Sequence, residues 1–521
     1  MTARGLGAPI SNPAAAGPTS GHPPYLAVDP GIHGSEQCAA ALRRVPGALP
    51  SGARYYGGGG GGGGGGVRQD KLPLKVNPER LMETLHETCA WGTGKRWGKA
   101  ATETGMSRLT LSDSDREARD WFVRTVEGLG CRVTVDAIGN VFAVRPGRRS
   151  EGPATFAGSH LDTQPTGGRY DGILGVVAGV EMLRVLHENH VETEFPVGVV
   201  NWTNEEGARF PYSMMGSGVW AEALPLETAY GLRSVTGDSV TLKSELERIG
   251  YLGKVPASYR SMPMGAHFEL HIEQGPILEA EKRKIGVVQG VQAYKWFTIE
   301  IEGRDAHTGT TPLANRSDAL LLAGKLMVHG NRVATKHSAL VSTGILTLSP
   351  GSTNTIPGSV RFSLDIRAPR NETVDEVEAR LRRDFAALAS GAEDVGGLHA
   401  GGTPGKSEFS VSWHTDSETT ATVFHEDCVR CVREAAEDVL GGGGDPDGRR
   451  RLVRDVVSGA GHDSVYASRV CPTTMIFVPC RDGVSHNPAE YTAPEDCAIG
   501  AEVLMHSVLR YDALRGKGVG A

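Results

Sequence analysis

Short runs of almost unbroken apolar character, separated by helical stretches, restrict the fold of this chain most. Ala154 to Ala157, Val197 to Trp202 and Phe268 to Ile272 have no polar stripe, so they read as strands buried on both faces. Ile173 to Leu186 between two of them reads as a helix. Such alternation predicts an α/β sheet with helices on both faces. Order is expected to begin near Asn77, which precedes Pro78 as an N-cap precedes a proline at the first helical turn. Asp113 to Leu129 follows as an amphipathic helix. Residues 1 to 77 are Gly, Pro and Ala rich, contain ten consecutive glycines (Gly57 to Gly66), and read as a disordered region. Removing residues 1 to about 70 is expected to leave folding and turnover intact; a collapse of either in the truncated chain would contradict this.

From Tyr294 the pattern changes. Trp296 to Ile301 reads as a strand, Ser317 to His329 as a helix, Leu340 to Leu348 and Ser359 to Ile366 as strands, Val374 to Ala389 as a helix, and Phe409 to Trp413 as a strand. This β-α-β-β-α-β order is the ferredoxin-like split. The expected organisation is a catalytic α/β domain formed by residues 78 to 293 and 414 to 521, with a small α+β domain, residues 294 to 413, inserted into it. Gly441 to Gly444 and Asp445 to Arg451 read as an exposed loop.

Several classes are disfavoured. The formal net charge is -7, without a large basic block, which argues against nucleic acid as the main partner. No apolar run approaches the ~20 residues that span a bilayer, and no secretory signal pattern is present. Eight cysteines in 521 residues are too few for a disulfide scaffold. Cys428 and Cys431 form C-x-x-C inside a helical pattern, Thr420 to Leu440, with no second pair, and read as reduced thiols of a cytoplasmic protein. Arg4, Arg43, Arg44 and Arg54 against Asp29 and Glu36 leave organellar targeting open.

The chemistry sits where strands end, which is where open α/β sheets bind ligands. Gly158-Ser159-His160-Leu161-Asp162-Thr163 closes one strand, and Gly168-Arg169-Tyr170-Asp171-Gly172 follows. His160 and Asp171 offer the nitrogen and carboxylate donors that suit zinc, manganese or cobalt. Asp162, on the same side as His160, can orient the imidazole. Thr203-Asn204-Glu205-Glu206-Gly207 follows a second strand. Its two adjacent carboxylates can divide between binding a cation and acting as a base. Glu269-Leu270-His271-Ile272-Glu273-Gln274-Gly275 and Ser485-His486-Asn487-Pro488 add two more histidines. Singly these are ordinary features: a surface turn, an acidic turn, a core histidine, an exposed loop histidine. Together His160, Asp171, Glu206, His271 and His486, with Glu205 to spare, have the composition of a two-metal hydrolase.

The motifs S-H-x-D-T, G-G-x-x-D-G, N-E-E-G-x-R-F, L-H-I-E-Q-G-P, A-H-T-G-T-T-P, S-G-A-G-H-D and S-H-N-P-x-E occur in this order over roughly residues 78 to 515. The chain thereby resembles the hydantoinase/carbamoylase branch of the aminoacylase and carboxypeptidase metalloamidase superfamily. The resemblance implies a two-metal exopeptidase-like catalytic domain with a ferredoxin-like lid and dimerisation domain. It implies His160, Asp171, Glu206, His271 and His486 as ligands of two divalent ions per subunit (Zn2+, or Mn2+ or Co2+), with Asp171 bridging. It implies Glu205 as general acid/base, His307 as the histidine that polarises the scissile carbonyl, and Asn354, Arg367, Gly461 and His462 as substrate-binding residues. The activity implied is hydrolysis of the ureido C–N bond of N-carbamoyl amino acids by a homodimer. Allantoate or ureidoglycolate hydrolysis is the enzymatic alternative. A non-catalytic relative would have lost Glu205 or two ligands, and all are present.

Overall fold

The computed structural model describes residues 74–149, 151–391, 408–441 and 451–518. The expectations for residues 1 to 73 and for the loop at 442 to 450 lie outside the described residues. Leu74 and Val76 correct the rest of the N-terminal expectation. Val76 is buried, and His506 Nε2 hydrogen-bonds the Leu74 carbonyl oxygen at 3.0 Å, so packing starts before Asn77. Asn77 then caps the helix Pro78–Thr88 by accepting from Arg80 N.

Among the described residues nine strands form one mixed sheet. Its centre is parallel: Val197–Trp202 pairs with Ala154–His160, which pairs with Met264–Ile272, which pairs with Thr473–Val478. Val141–Arg145 and Arg132–Val135 extend one side antiparallel. Ile285–Val291 runs antiparallel to Thr473–Val478 on the other side and carries Val453–Ser458 beside it. Both faces are covered, as the unbroken apolar runs require. Val197 and Val199 join the core shared with the helices Ile173–Glu188 and Pro494–Gly516, while Val200 and Trp202 pack with Phe156 and Trp220 in the cluster on the opposite face.

The expected strand Ala154 to Ala157 runs on through His160 and is buried throughout. Gly158 looks like a break in sequence but is a packing requirement: a Cβ there would lie 2.2 Å from Val200 Cγ1 on the adjacent strand.

The inserted domain has the strand order Leu340–Ser342, Ser359–Ala368, Ala293–Glu302, Ser410–Thr419, all antiparallel. Val360, Phe362, Leu364 and Ile366 alternate inward with Phe297, Ile299 and Ile301, against the helices Ala319–Lys336 and Asn371–Ser390. Two details differ from the expected elements. The strand predicted over Leu340 to Leu348 divides into Leu340–Ser342 and Leu346–Ser349, because Ser363 Oγ of the neighbouring strand accepts hydrogen bonds from Gly344 N and Ile345 N and interrupts the ladder. The last strand continues past Trp413 to Thr419, paired with Tyr294 to Trp296, so this second sheet extends beyond residue 413.

The C-x-x-C helix starts at Glu426 rather than Thr420, since Thr422–Val423 is a strand paired with Val291 and Gly290. Cys428 and Cys431 are buried and free, and burial pushes the Cys428 thiol well above its ordinary value and the Cys431 thiol up to about 11. Among the described residues no helix is long and apolar enough to cross a membrane.

Candidate active site

The parallel strands deliver their carboxyl ends to one place. His160 ends its strand, His271 lies one residue from the end of Met264–Ile272, and Glu205 and Glu206 follow Trp202. Asp171 sits before the helix Ile173–Glu188, and His486 comes from the loop after Thr473–Val478. Asp171 Oδ1 is 3.5 Å from His160 Nε2 and 3.1 Å from His271 Nε2. Its other oxygen is 3.5 Å from His486 Nε2, which in turn is 3.4 Å from Glu206 Oε2. Two donor triads therefore share one carboxylate: His160, Asp171 and His271, and Asp171, Glu206 and His486, with the donor atoms of each within 4.8 Å of one another.

The histidines are preset as ligands. His160 Nδ1 and His271 Nδ1 each lie 2.9 Å from a carbonyl oxygen, of Asp162 and Ile272. A carbonyl only accepts, so each Nδ1 carries a proton, which leaves Nε2 as the nitrogen that ligates when the ring is neutral. Both Nε2 atoms are buried without a hydrogen-bond partner. Two buried, unpartnered imidazole nitrogens facing a carboxylate are what a divalent cation satisfies. Charge points the same way. Burial, then Asp171, push the Glu206 carboxyl up to about 8. Burial first, then Asp463, Glu206 and Asp171, hold Glu205 well above the usual carboxylate range against the pull of His160. Against burial, His271 and His160 hold Asp171 well below that range. A cluster this rich in acid and this dry calls for cationic charge.

Glu205 Oε2 lies 3.5 Å from His160 Nε2, and among the described residues its carboxylate accepts no hydrogen bond. Glu206, by contrast, accepts from Gln164 N and Gln164 Nε2 at 3.1 and 2.8 Å. Asp162 corrects one expectation. Its backbone carbonyl, not its carboxylate, holds the His160 ring; the carboxylate stands 4.0 Å from Nδ1 and accepts instead from Glu205 N and Glu206 N at 3.4 and 3.3 Å. Asp162 thus fixes the acidic turn as well as the imidazole. Asn204, Gln274 and His486 all have positive φ (56°, 56° and 53°), backbone cost concentrated at the site.

His462 packs its ring 4.5 Å from that of His271, bonds Ser458 Oγ, and is driven down to about 3 by burial. Gly461 precedes it, facing Met214. A third donor grouping, Glu269, His271 and His462, shares His271, and its Glu269 oxygens are already taken by the Ser159 and Ser464 hydroxyls. Arg367 projects from the strand Ser359–Ala368 of the inserted domain. Asp365 takes its Nε and Nη2, Gly459 O accepts from Nη1 at 3.1 Å, and the Tyr294 ring lies 5.4 Å away. It lines a cleft of about 1000 Å³ that also includes Gln274, Gly459 and Phe477. His307 and Asn354 meet each other at 3.3 Å on the surface of the inserted domain, both exposed. Among the described residues neither makes a hydrogen bond or ion pair with the His160–His486 cluster.

Sequence reasoning assigned no role to Gln274, Ser485, Glu490 or Gln164. Gln274 Nε2 and Ser485 Oγ reach Asp171 Oδ2 at 2.7 and 2.9 Å. Gln274, Ser485 and Glu490 stand inside the L-H-I-E-Q-G-P and S-H-N-P-x-E motifs, and Gln164 directly follows S-H-x-D-T.

The description Peptidase family M20/M25/M40 matches residues 156–510. An N-carbamoyl-L-amino-acid amidohydrolase of Rhizobium meliloti is 40% identical over 437 residues, 84% of this chain and 96% of the relative. The crystal structure of an amidase of the hydantoinase/carbamoylase family from Burkholderia multivorans superposes with a TM-score of 0.74 at 42% identity, covering 84% of this chain and 98% of that one. A ureidoglycolate hydrolase of Arabidopsis thaliana is 30% identical over 78% of this chain and 82% of its own length. With the family pattern covering every residue of both triads, and the N-carbamoyl-L-amino-acid amidohydrolase and the amidase structure matched along nearly their whole length, the chain belongs to peptidase family M20/M25/M40 and, within it, to the hydantoinase/carbamoylase amidases.

Proposed function

We propose that this protein is a metal-dependent amidohydrolase that cleaves the ureido C–N bond of N-carbamoyl amino acids, releasing the amino acid, CO2 and ammonia. The observation that carries the reading is Asp171, whose two oxygens face different donor sets while the uncommitted Glu205 carboxylate stands beside His160. His160, Asp171 and His271 would hold one divalent ion, and Asp171, Glu206 and His486 a second; the mixed nitrogen and oxygen donors suit Zn2+, and also Mn2+ or Co2+. Bound there, such ions supply Lewis-acid polarisation of the ureido carbonyl and lower the pKa of a neighbouring water.

The chain's own groups do the rest. Glu205 takes a proton from the attacking water and returns it to the leaving nitrogen. Arg367, steadied by Asp365, receives the substrate carboxylate in the cleft through its remaining N–H groups. Gly461 and His462 wall the substrate site beside His271. His307 polarises the scissile carbonyl and Asn354 binds substrate when the lid is presented to the cleft. The test is ammonia release from N-carbamoyl-L-amino acids, N-carbamoyl-β-alanine, allantoate and ureidoglycolate. Turnover highest on an N-carbamoyl amino acid is expected; turnover confined to ureidoglycolate or allantoate would move the protein to the alternative reading.

The reading includes a homodimer formed through the lid, acting in the cytoplasm. Leu340 and Ile345, 64% and 65% exposed, belong to the open edge of the lid sheet, where a second copy can add a strand. A mass of two chains is expected at micromolar concentration; a fully active monomer would contradict it.

A further inference from the structure

We infer that Glu490, which belongs to neither donor triad, is the positioning residue that sets the cation site formed by Asp171, Glu206 and His486. This rests on the two-cation reading above.

The two triads are held very differently. His160 and His271 stand on buried strands with their rings locked by carbonyl oxygens. His486 stands on a loop, with its side chain 50% exposed and its backbone at φ 53°. Asp171 lies in a turn between strand and helix. Neither location alone holds a ligand to the few tenths of an ångström that a cation site needs.

Glu490 supplies the restraint. It is 2% exposed. Its Oε1 accepts from Tyr170 N at 2.9 Å and from Asp171 N at 3.0 Å. Its Oε2 lies 3.2 Å from Ser485 Oγ, and that hydroxyl is 2.9 Å from Asp171 Oδ2. One carboxyl group thus ties the turn carrying Asp171 to the loop carrying His486. The chain has cleared space for it. A Cβ on Gly168 would come 2.2 Å from the Glu490 carboxyl; a Cβ on Gly105 would come 2.5 Å from Gly167 O and 2.6 Å from Pro488 Cα, in the loop that carries Glu490. Neither glycine has a positive φ, so room, not backbone freedom, explains both.

The geometry also makes the effect selective. The Ser485 relay touches Asp171 Oδ2, the oxygen that faces His486. Oδ1, which faces His160 and His271, is outside it. Losing Glu490 should loosen the second triad more than the first, whose His160 and His271 are held independently of it by carbonyl oxygens.

The test uses the full chain, stripped with chelator and titrated with Zn2+ against a chromophoric competitor that resolves two affinities. Glu490→Ala is expected to weaken one of two ions by about 10–100-fold, the usual effect of removing a partner that orients ligands, with the other changed less than about threefold. His486→Ala should weaken the same ion. Glu490→Gln should restore the affinity to within about threefold, because the amide oxygen still accepts from both backbone N–H groups. Gly168→Ala, which pushes a methyl group into the carboxyl, should reproduce the Glu490→Ala defect, and it decides the matter if Glu490→Ala does not fold. Both ions bound at wild-type affinity in these variants, or both weakened equally, would overturn the inference. A wild-type chain that takes up fewer than two Zn2+ refutes the two-cation reading and this inference with it; two wild-type sites with unaffected variants refute the inference alone.

Discussion

Glu205→Gln is expected to retain both divalent ions and to lose at least about 100-fold in turnover, the lower end of what a positioned acid/base contributes. The neighbouring glutamates differ in commitment: Glu206 is bound by Gln164 and faces His486, whereas Glu205 accepts no hydrogen bond among the described residues and lies 3.5 Å from His160. The amide is nearly isosteric, so the turn held by Asp162 should keep its shape. It cannot accept the proton of water, and it cannot return one to the leaving nitrogen, so the loss can exceed the minimum. Glu206→Gln should instead lose metal. Ion content and turnover, read on both variants side by side, separate the two roles. A metal-replete Glu205→Gln enzyme with near-normal turnover would overturn the mechanism, and loss of metal from it would mean that the roles are exchanged.

Asp171→Asn is expected to lose both ions together. Each Asp171 oxygen serves a different triad, so one neutralisation removes an anionic donor from both. Turnover should fall by roughly 1000-fold or more, since a polarising cation contributes several kcal/mol to the transition state and each 1.36 kcal/mol is a factor of ten. Stability gives an independent readout. Zn2+ at about a hundred times its Kd should stabilise the wild-type fold by about 2.7 kcal/mol, and the variant far less. An Asp171→Asn protein that still carries two ions and melts like the Zn2+-loaded wild type would contradict the shared-carboxylate arrangement.

The part of the site that was legible in sequence is the part governed by strand ends. His160, Glu205, Glu206 and His271 each close or follow an apolar run, and parallel strands bring such ends together whatever the loops do. The boundaries failed where a neighbour, not the local pattern, decides. Gly158 reads as a strand end until Val200 is seen packed against it. The strand from Leu340 divides because of a serine on another strand. Asp162 was assigned to the correct neighbourhood, but an i, i+2 spacing cannot tell a carbonyl contact from a carboxylate contact. Glu490 was invisible as a restraint because its partners, Tyr170 N and Asp171 N, lie 320 and 319 residues away. His307, Asn354 and Arg367 were recognised by motif alone, and sequence gave no hint that Asp365 and Gly459 share the Arg367 guanidinium.

The central claim, ureido hydrolysis at a pair of cations joined on Asp171, is tested most directly by one titration. The chelator-stripped chain is given increasing Zn2+, Mn2+ or Co2+, and ammonia released from an N-carbamoyl-L-amino acid is measured against ions bound per chain. The account predicts negligible turnover without metal and a plateau at two ions per chain. Full turnover in the stripped chain, or a plateau reached at one ion, would contradict it.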